Sequence, residues 1–214
     1  MSKENFCEIE KPFTLNDVLS PELFFDVWKD LDPEFNGWLY NNSGYADDKL
    51  TNWGRDEHSH SSLVASTIVK LKTERILKRN LTLIKIQQNL QTPNMICRFH
   101  IDFSDDNIIT VVLFTTPTWD IQWSGEFCVQ TPDTKYNYYP YIPNTAVGIK
   151  SNWEHNGMAP NQAAANNLRT SLAFSYVYSD MFDEVYMNHI VNGKTPTYGR
   201  YLRNFNNKIY TSLT

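Results

Sequence analysis

Apolar residues change their period once along the chain. From Leu23 to Leu31 they recur as Leu23, Phe24, Val27, Trp28 and Leu31, at spacings of one, three and four, which places them in one stripe along a helix. Ser20-Pro21-Glu22 supplies the start of that helix: an N-capping hydroxyl, a proline whose fixed φ suits the first turn, and an acid near the positive end of the dipole. Asp32-Pro33 ends it. The polar stretch Gly37–Ser61, with three glycines and Asp47-Asp48, reads as a loop. A second helix is predicted from Ser61 or Ser62 to Arg79-Asn80, with Leu63, Ile68, Leu71 and Ile76-Leu77 as its buried face.

From Leu81 onward short runs rich in Val, Ile, Phe, Tyr and Thr replace the helical period: Leu81–Ile86, Ile96–Phe103, Asn107–Thr115, Glu126–Gln130, Ala146–Lys150 and Leu168–Tyr178. Turn residues separate them, among them Thr92-Pro93-Asn94, Ser104-Asp105-Asp106, Thr131-Pro132-Asp133 and Asn156-Gly157. Many short strands punctuated in this way predict a β-sandwich or jelly roll with helices on one face. Phe182–Val191 reads as a further short helix. No repeat, low-complexity tract or long linker divides the chain. The expected organisation is one domain, with residues 1–80 as helical support and substrate-side loop, 81–180 as the core and 181–214 as a C-terminal extension.

Composition narrows the class. Of 214 residues, 41% are apolar and 14% aromatic, enough for a core that needs neither disulfides nor a structural metal. The net charge of −5 and the lack of a basic stripe argue against nucleic acid; Lys70, Lys72, Arg75, Lys78 and Arg79 read as the solvated side of the second helix. Three cysteines, Cys7, Cys97 and Cys128, have no framework spacing, and the latter two sit in apolar runs as small buried hydrophobes, so a reducing compartment is expected. Met1–Lys11 has no signal core and no segment approaches a membrane span, so the expected location is cytoplasmic.

Only five histidines are present, so each is weighed separately. His100-Ile101-Asp102 lies where a strand run meets a polar turn; residues two apart on a strand share a face and can grip one ion together. His155 follows at the end of the run Ala146–Glu154. Two histidines and a carboxylate on one face of an octahedral ion leave positions open, an arrangement suited to non-haem ferrous iron. A His-x-Asp pair by itself is weak, since about one histidine in twenty has one by residue frequency alone. Arg169-Thr170-Ser171 adds weight: the guanidinium can pair bidentately with a carboxylate, and Ser171, sharing its face, can add a hydroxyl. His58-Ser59-His60, beside Asp56 and Glu57, has metal-ligand spacing but no third partner and reads as a substrate-side loop or solvated surface; His189 reads as structural. Trp119, Trp123, Tyr136, Tyr138, Tyr139 and Tyr141, with Trp38, Tyr40, Tyr45 and Trp53, are either a substrate platform or a cover for sheet edges and core.

In order, His100-x-Asp102, Trp119-x₃-Trp123-Ser124-Gly125-Glu126-Phe127, His155 and Arg169-Thr170-Ser171-Leu172 resemble the 2-oxoglutarate oxygenases of the prolyl-hydroxylase type. The resemblance runs from about Leu81 to Tyr178. It implies a double-stranded β-helix, a jelly roll of the cupin-like kind, with N-terminal helices. It also implies Fe(II) held by His100, Asp102 and His155, 2-oxoglutarate anchored through its far carboxylate by Arg169, and dioxygen as co-substrate, with ascorbate as an optional reductant. Oxidative decarboxylation to succinate and carbon dioxide would then accompany hydroxylation of a protein or peptide, with proline as the first candidate. The chain departs from the pattern in three places. Arg169 stands where collagen-type enzymes commonly carry lysine. Asn89 and Gln91 stand near a position often held by tyrosine, and Leu113-Phe114-Thr115-Thr116 replaces an aromatic-Tyr-Leu-Asn segment. A hydroxylase of a small metabolite, amino acid or glycan precursor, a cupin-like metalloenzyme without keto acid, and a non-catalytic jelly-roll binding module are the rival readings.

Overall fold

The structure, a computed structural model, describes residues 9–32, 39–42, 51–55, 59–93, 95–183 and 185, with the backbone alone at 39–42 and 51–55. Met1–Lys11 lies mostly outside the described residues, as do His58, His189, Cys7, Trp38 and Tyr45 and nearly all of the expected helix Phe182–Val191.

The first helix, α1, spans Pro21–Leu31, capped by Ser20 through the Leu23 amide and ended at Asp32. The second, α2, spans His60–Leu77, starting one residue before the expected position, with Ser59 as its cap and Lys78 in the left-handed region beyond its end. Its buried face keeps only Leu77 and, in part, Ile68 of the predicted one. Ser62, Ala65, Ser66, Val69, Thr73 and Leu77 are buried, whereas Leu63 and Leu71 are 39% and 49% exposed. Small and hydroxyl side chains let the helix approach the sheet closely: the Tyr176 hydroxyl reaches the Ser66 carbonyl at 2.7 Å, and Thr73 returns its own hydroxyl to the Val69 carbonyl.

The described residues also form ten strands. β1 is Phe13–Leu15, β2 Leu39–Asn42, β3 Thr51–Arg55, β4 Leu81–Gln91, β5 Ile108–Phe114, β6 Phe127–Gln130, β7 Tyr136–Tyr139, β8 Ala146–Lys150, β9 His155–Gly157 and β10 Arg169–Tyr178. They form a seven-stranded sheet in the order β1-β8-β5-β10-β4-β3-β2 and a three-stranded sheet β7-β6-β9, with every pairing antiparallel. Two such sheets closing on one another make the predicted jelly roll. The Gly37–Ser61 stretch, read as loop, contributes the hairpin β2–β3 to the edge of the larger sheet and the first residues of α2. Ile96–Phe103 is not a strand. It pairs at one point only, where His100 exchanges both backbone hydrogen bonds with His155, at 3.0 and 2.9 Å. The Asp102 amide then turns to the Ser151 carbonyl.

The larger core lies between the seven-stranded sheet and the helices, built on Val27, Leu31, Val69, Leu77, Val111, Leu113, Leu172, Phe174 and Tyr176. The other face of that sheet looks into the roll. Register places Gln91 beside Arg169, Asn89 beside Ser171 and Lys85 beside Ser175, with Phe114 and Thr110 flanking Ser171 and Ser175 on their other side. The inward positions of β4 are therefore Lys85, Gln87, Asn89 and Gln91, a polar row. No helix among the described residues is long and apolar enough to cross a membrane.

Candidate metal and carboxylate site

His100, Asp102 and His155 come together with their ligand atoms within 4.8 Å of one another, His155 buried, Asp102 partly buried and His100 exposed. The Nε2 atoms of His100 and His155 lie 3.8 and 3.6 Å from the Asp102 oxygens. Both rings are oriented from behind. The Nδ1 of His100 faces the Arg98 carbonyl at 3.1 Å and that of His155 faces the Trp153 carbonyl at 2.9 Å. A carbonyl only accepts, so Nδ1 carries the proton in each ring and the Nε2 lone pairs point at the carboxylate. Two lone pairs and a carboxylate thus converge with no proton between them, a donor set that fits a divalent cation and matches the two-histidine, one-carboxylate pattern of ferrous sites.

Electrostatics favour the same protonation states. Burial alone would raise the Asp102 carboxyl, but His155, Lys85, His100 and the Thr110 hydroxyl outweigh it and hold it below the ordinary carboxylate range. Burial lowers the His155 imidazole, against the pull of Asp102. Asp102 is fixed by a hydroxyl relay. Thr110 Oγ1 donates to Asp102 Oδ2 at 2.8 Å and lies 2.8 Å from the Ser151 hydroxyl, and both hydroxyl residues are fully buried.

Arg169, the first residue of β10, is 2% exposed. Its Nε donates to the Gly125 carbonyl at 2.8 Å and its Nη1 to Gln91 Oε1 at 2.6 Å, while Nη2 is buried with no hydrogen-bond partner. The guanidinium lies 5.0 Å from the Tyr141 ring and 5.5 Å from the Phe114 ring. Tyr141 is held by its own hydroxyl, which donates to the Thr170 carbonyl and accepts from the Thr116 amide. Two glycines make room. Gly125 has φ +88°, and a Cβ there would fall 2.8 Å from Trp119. A Cβ on Gly157 would fall 3.2 and 3.3 Å from the two terminal nitrogens of Arg169. Gly157 is two residues beyond His155 on β9, about 7 Å along a strand. A buried cation short of a partner at that distance from the donor set fits one end of a short dicarboxylate, the other end being left for the ion.

Ser171 is buried two residues on from Arg169, level with Asn89 and Phe114. The aromatic stretch divides. Trp119 packs tilted against Tyr141 at 4.5 Å and edge-on against Trp123, and its indole donates to the Ser124 carbonyl, so this part lies beside Arg169 at Gly125. Tyr136 and Tyr138 are exposed on the outer face of the smaller sheet, Tyr136 meeting Phe99 edge-on at 5.5 Å. His60 is exposed at the start of α2. Cys128 is buried as expected, and Cys97, only half-buried, accepts a hydrogen bond from Gln91 at 3.0 Å. Sequence reasoning did not identify Thr110, Ser151 and Gly157. Thr110 and Ser151 appeared only as polar residues in or beside apolar runs, and Asn156-Gly157, read as a turn, belongs to strand β9.

No protein-family model matches the sequence, and no curated protein matches it. Solved structures do match in fold. A Pseudomonas putida prolyl-4-hydroxylase aligns with TM-score 0.60 at 11% identity, covering 79% of this chain and 94% of that one. A prolyl hydroxylase from Trichoplax adhaerens, in complex with a hypoxia-inducible-factor peptide fragment, aligns with TM-score 0.64 at 13% identity, covering 80% and 86%. HygX from Streptomyces hygroscopicus, with nickel, 2-oxoglutarate and hygromycin B bound, aligns with TM-score 0.57 at 8% identity, covering 78% and 83%. The chain has the jelly-roll fold of the 2-oxoglutarate/Fe(II) oxygenases.

Proposed function

We propose that the protein is an Fe(II)- and 2-oxoglutarate-dependent oxygenase that hydroxylates a protein or peptide, proline being the first side chain to test. The observation that carries the reading is the unpartnered, buried Nη2 of Arg169, about two strand residues from the His100–Asp102–His155 donor set. A buried guanidinium with a free donor is costly unless an anion completes it. A metal-chelating keto acid with a second carboxylate meets both requirements at once.

In this reading His100, Asp102 and His155 hold iron through two Nε2 atoms and a carboxylate oxygen, and Arg169 orients 2-oxoglutarate by its far carboxylate, with Ser171 beside it. When bound, the iron and keto acid supply dioxygen activation coupled to decarboxylation, leaving succinate and carbon dioxide. The Phe114, Tyr141 and Trp119 rings around the clamp keep water from it, so the charge pair forms in a low-dielectric pocket. A peptide substrate is supported by the Trichoplax neighbour and by the exposed Phe99–Tyr136 pair one residue from His100. The neighbour with hygromycin B bound supports a small polar molecule as the second reading.

Anaerobic titration of the apo-protein with Fe(II), then 2-oxoglutarate, tests the assignment. The expected result is a weak visible charge-transfer band, absent in His100→Ala and His155→Ala proteins that remain folded. Iron binding without the band would mean a different metal-using jelly roll, and no iron binding would leave the binding-module reading.

A further inference from the structure

The last residue of β4, Gln91, is buried and uses both ends of its amide. Its Oε1 accepts from Arg169 Nη1 at 2.6 Å. Its Nε2 donates to the Gly157 carbonyl at 2.6 Å and lies 3.0 Å from the Cys97 sulfur. The amide's orientation is fixed by its neighbours: a guanidinium only donates and a carbonyl only accepts, so oxygen must face Arg169 and nitrogen must face Gly157. Gln91 therefore touches three segments at once, the start of β10, β9 two residues past His155, and the strand-like stretch three residues before His100.

We infer that Gln91 is the positioning residue of the carboxylate clamp: it takes one edge of the Arg169 guanidinium with a neutral acceptor and so leaves Nη2 aimed and its charge uncompensated for the keto acid. The inference rests on the reading that Arg169 binds 2-oxoglutarate. Neutrality is the essential property. An acid at this position would place a permanent carboxylate on Nη1, neutralise the cation and compete with the incoming one. An apolar side chain would release the guanidinium from one of its two anchors, leaving Nε on Gly125, and either substitution removes the donor to the Gly157 carbonyl. The two substitutions are therefore ranked by charge and not by the number of hydrogen bonds lost.

The test uses Mn(II) as a redox-inert ion and calorimetry on the full chain. Mn(II) affinity is measured first, then 2-oxoglutarate affinity on the Mn(II)-saturated protein, for the unmodified protein, Gln91→Glu and Gln91→Leu. Mn(II) affinity is expected to stay within about threefold in both variants, since neither touches a ligand atom. Keto-acid affinity is expected to fall about 100-fold in Gln91→Glu and about tenfold in Gln91→Leu, the range for bonds to a charged group. Equal keto-acid affinity in all three proteins would overturn the inference. So would a larger loss in Gln91→Leu than in Gln91→Glu, which is the order that disrupted packing alone would produce. Should the Glu variant fail to fold, the Leu variant alone decides, a loss with unchanged Mn(II) affinity supporting the inference and no loss overturning it. If the unmodified protein binds Mn(II) but no 2-oxoglutarate, the co-substrate reading itself fails, and this inference with it.

Discussion

Replacing Thr110 by valine keeps the shape of a fully buried, β-branched strand residue and removes one hydroxyl. That hydroxyl donates to Asp102 Oδ2 at 2.8 Å, with Ser151 at the same distance on its other side. Without it, the carboxylate loses the contact that fixes its rotation, and one oxygen of a largely buried anion is left without a donor. A hydrogen bond to a charged group is worth about 1.5–3 kcal/mol, which predicts a loss of metal affinity of about 10–100-fold. Removal of an outer-shell partner from a metal ligand costs about the same factor in general. Ser151 also loses its partner, so the apo-protein should be destabilised by roughly 1–2 kcal/mol, or a melting point lower by about 2–8 °C. Mn(II) titration of Thr110→Val and Thr110→Ser, with thermal unfolding of each, is the assay. The serine variant keeps the hydroxyl and should restore most of the affinity. 2-Oxoglutarate affinity at saturating Mn(II) should change far less than in the Gln91 variants, because Arg169 is untouched. A folded Thr110→Val protein that binds Mn(II) as tightly as the unmodified one would refute the argument that this hydroxyl orients a ligand.

Gly157→Ala puts a methyl group 3.2 and 3.3 Å from the terminal nitrogens of Arg169. Since the guanidinium is held at Nε and Nη1, it must shift, and 2-oxoglutarate affinity should fall about tenfold with metal affinity unchanged, as calorimetry would read. Tyr141→Phe removes a hydroxyl that donates to the Thr170 carbonyl at 2.6 Å and accepts from the Thr116 amide at 2.8 Å; the buried Thr116 amide loses its partner while the Thr170 carbonyl keeps the Thr115 amide, and urea unfolding should show a loss of about 1–3 kcal/mol. Burial raises the Cys97 thiol above its ordinary range, against the opposing pull of Arg169 and Gln91. Its alkylation by iodoacetamide at pH 7.5 should be slower than that of free cysteine and should accelerate as pH rises past about 8.5, because only the thiolate reacts; mass spectrometry showing the rate of a free thiol would contradict this.

How far the fold and site were legible depends on how local each signal is. Ser20 and Pro21 act within one helical turn, so α1 could be read almost to the residue. The His-x-Asp pair, the second histidine and the arginine are each a single conspicuous side chain, and their order along the chain was enough to pick them out. The buried face of α2 was misread because apolar side chains were assumed to point inward. Against this sheet, close approach matters more than apolar area, so Ser62, Ala65 and Ser66 face in and Leu63 and Leu71 face out. Ile96–Phe103 has a strand's composition, yet it must deliver His100 to His155 and Asp102 to Thr110 within three residues. One bridge followed by a turn to Ser151 does that, and a regular ladder does not.

Strand β4 was predicted to stop at Ile86 and runs to Gln91. Lys85, Gln87, Asn89 and Gln91 look like the end of a strand because they are polar. They are polar because that face of the strand borders a functional interior: Lys85 donates to Gln87, Gln87 donates to Asn89, and Gln91 holds Arg169. The alternation with Ile86, Gln88 and Leu90, all buried, persists through the apparent break. A period of two carried on through polar residues therefore marks a strand with one face against the core and the other against chemistry. In this chain that face runs from a lysine that helps hold Asp102 ionised to the amide that holds the arginine, alongside both halves of the proposed site.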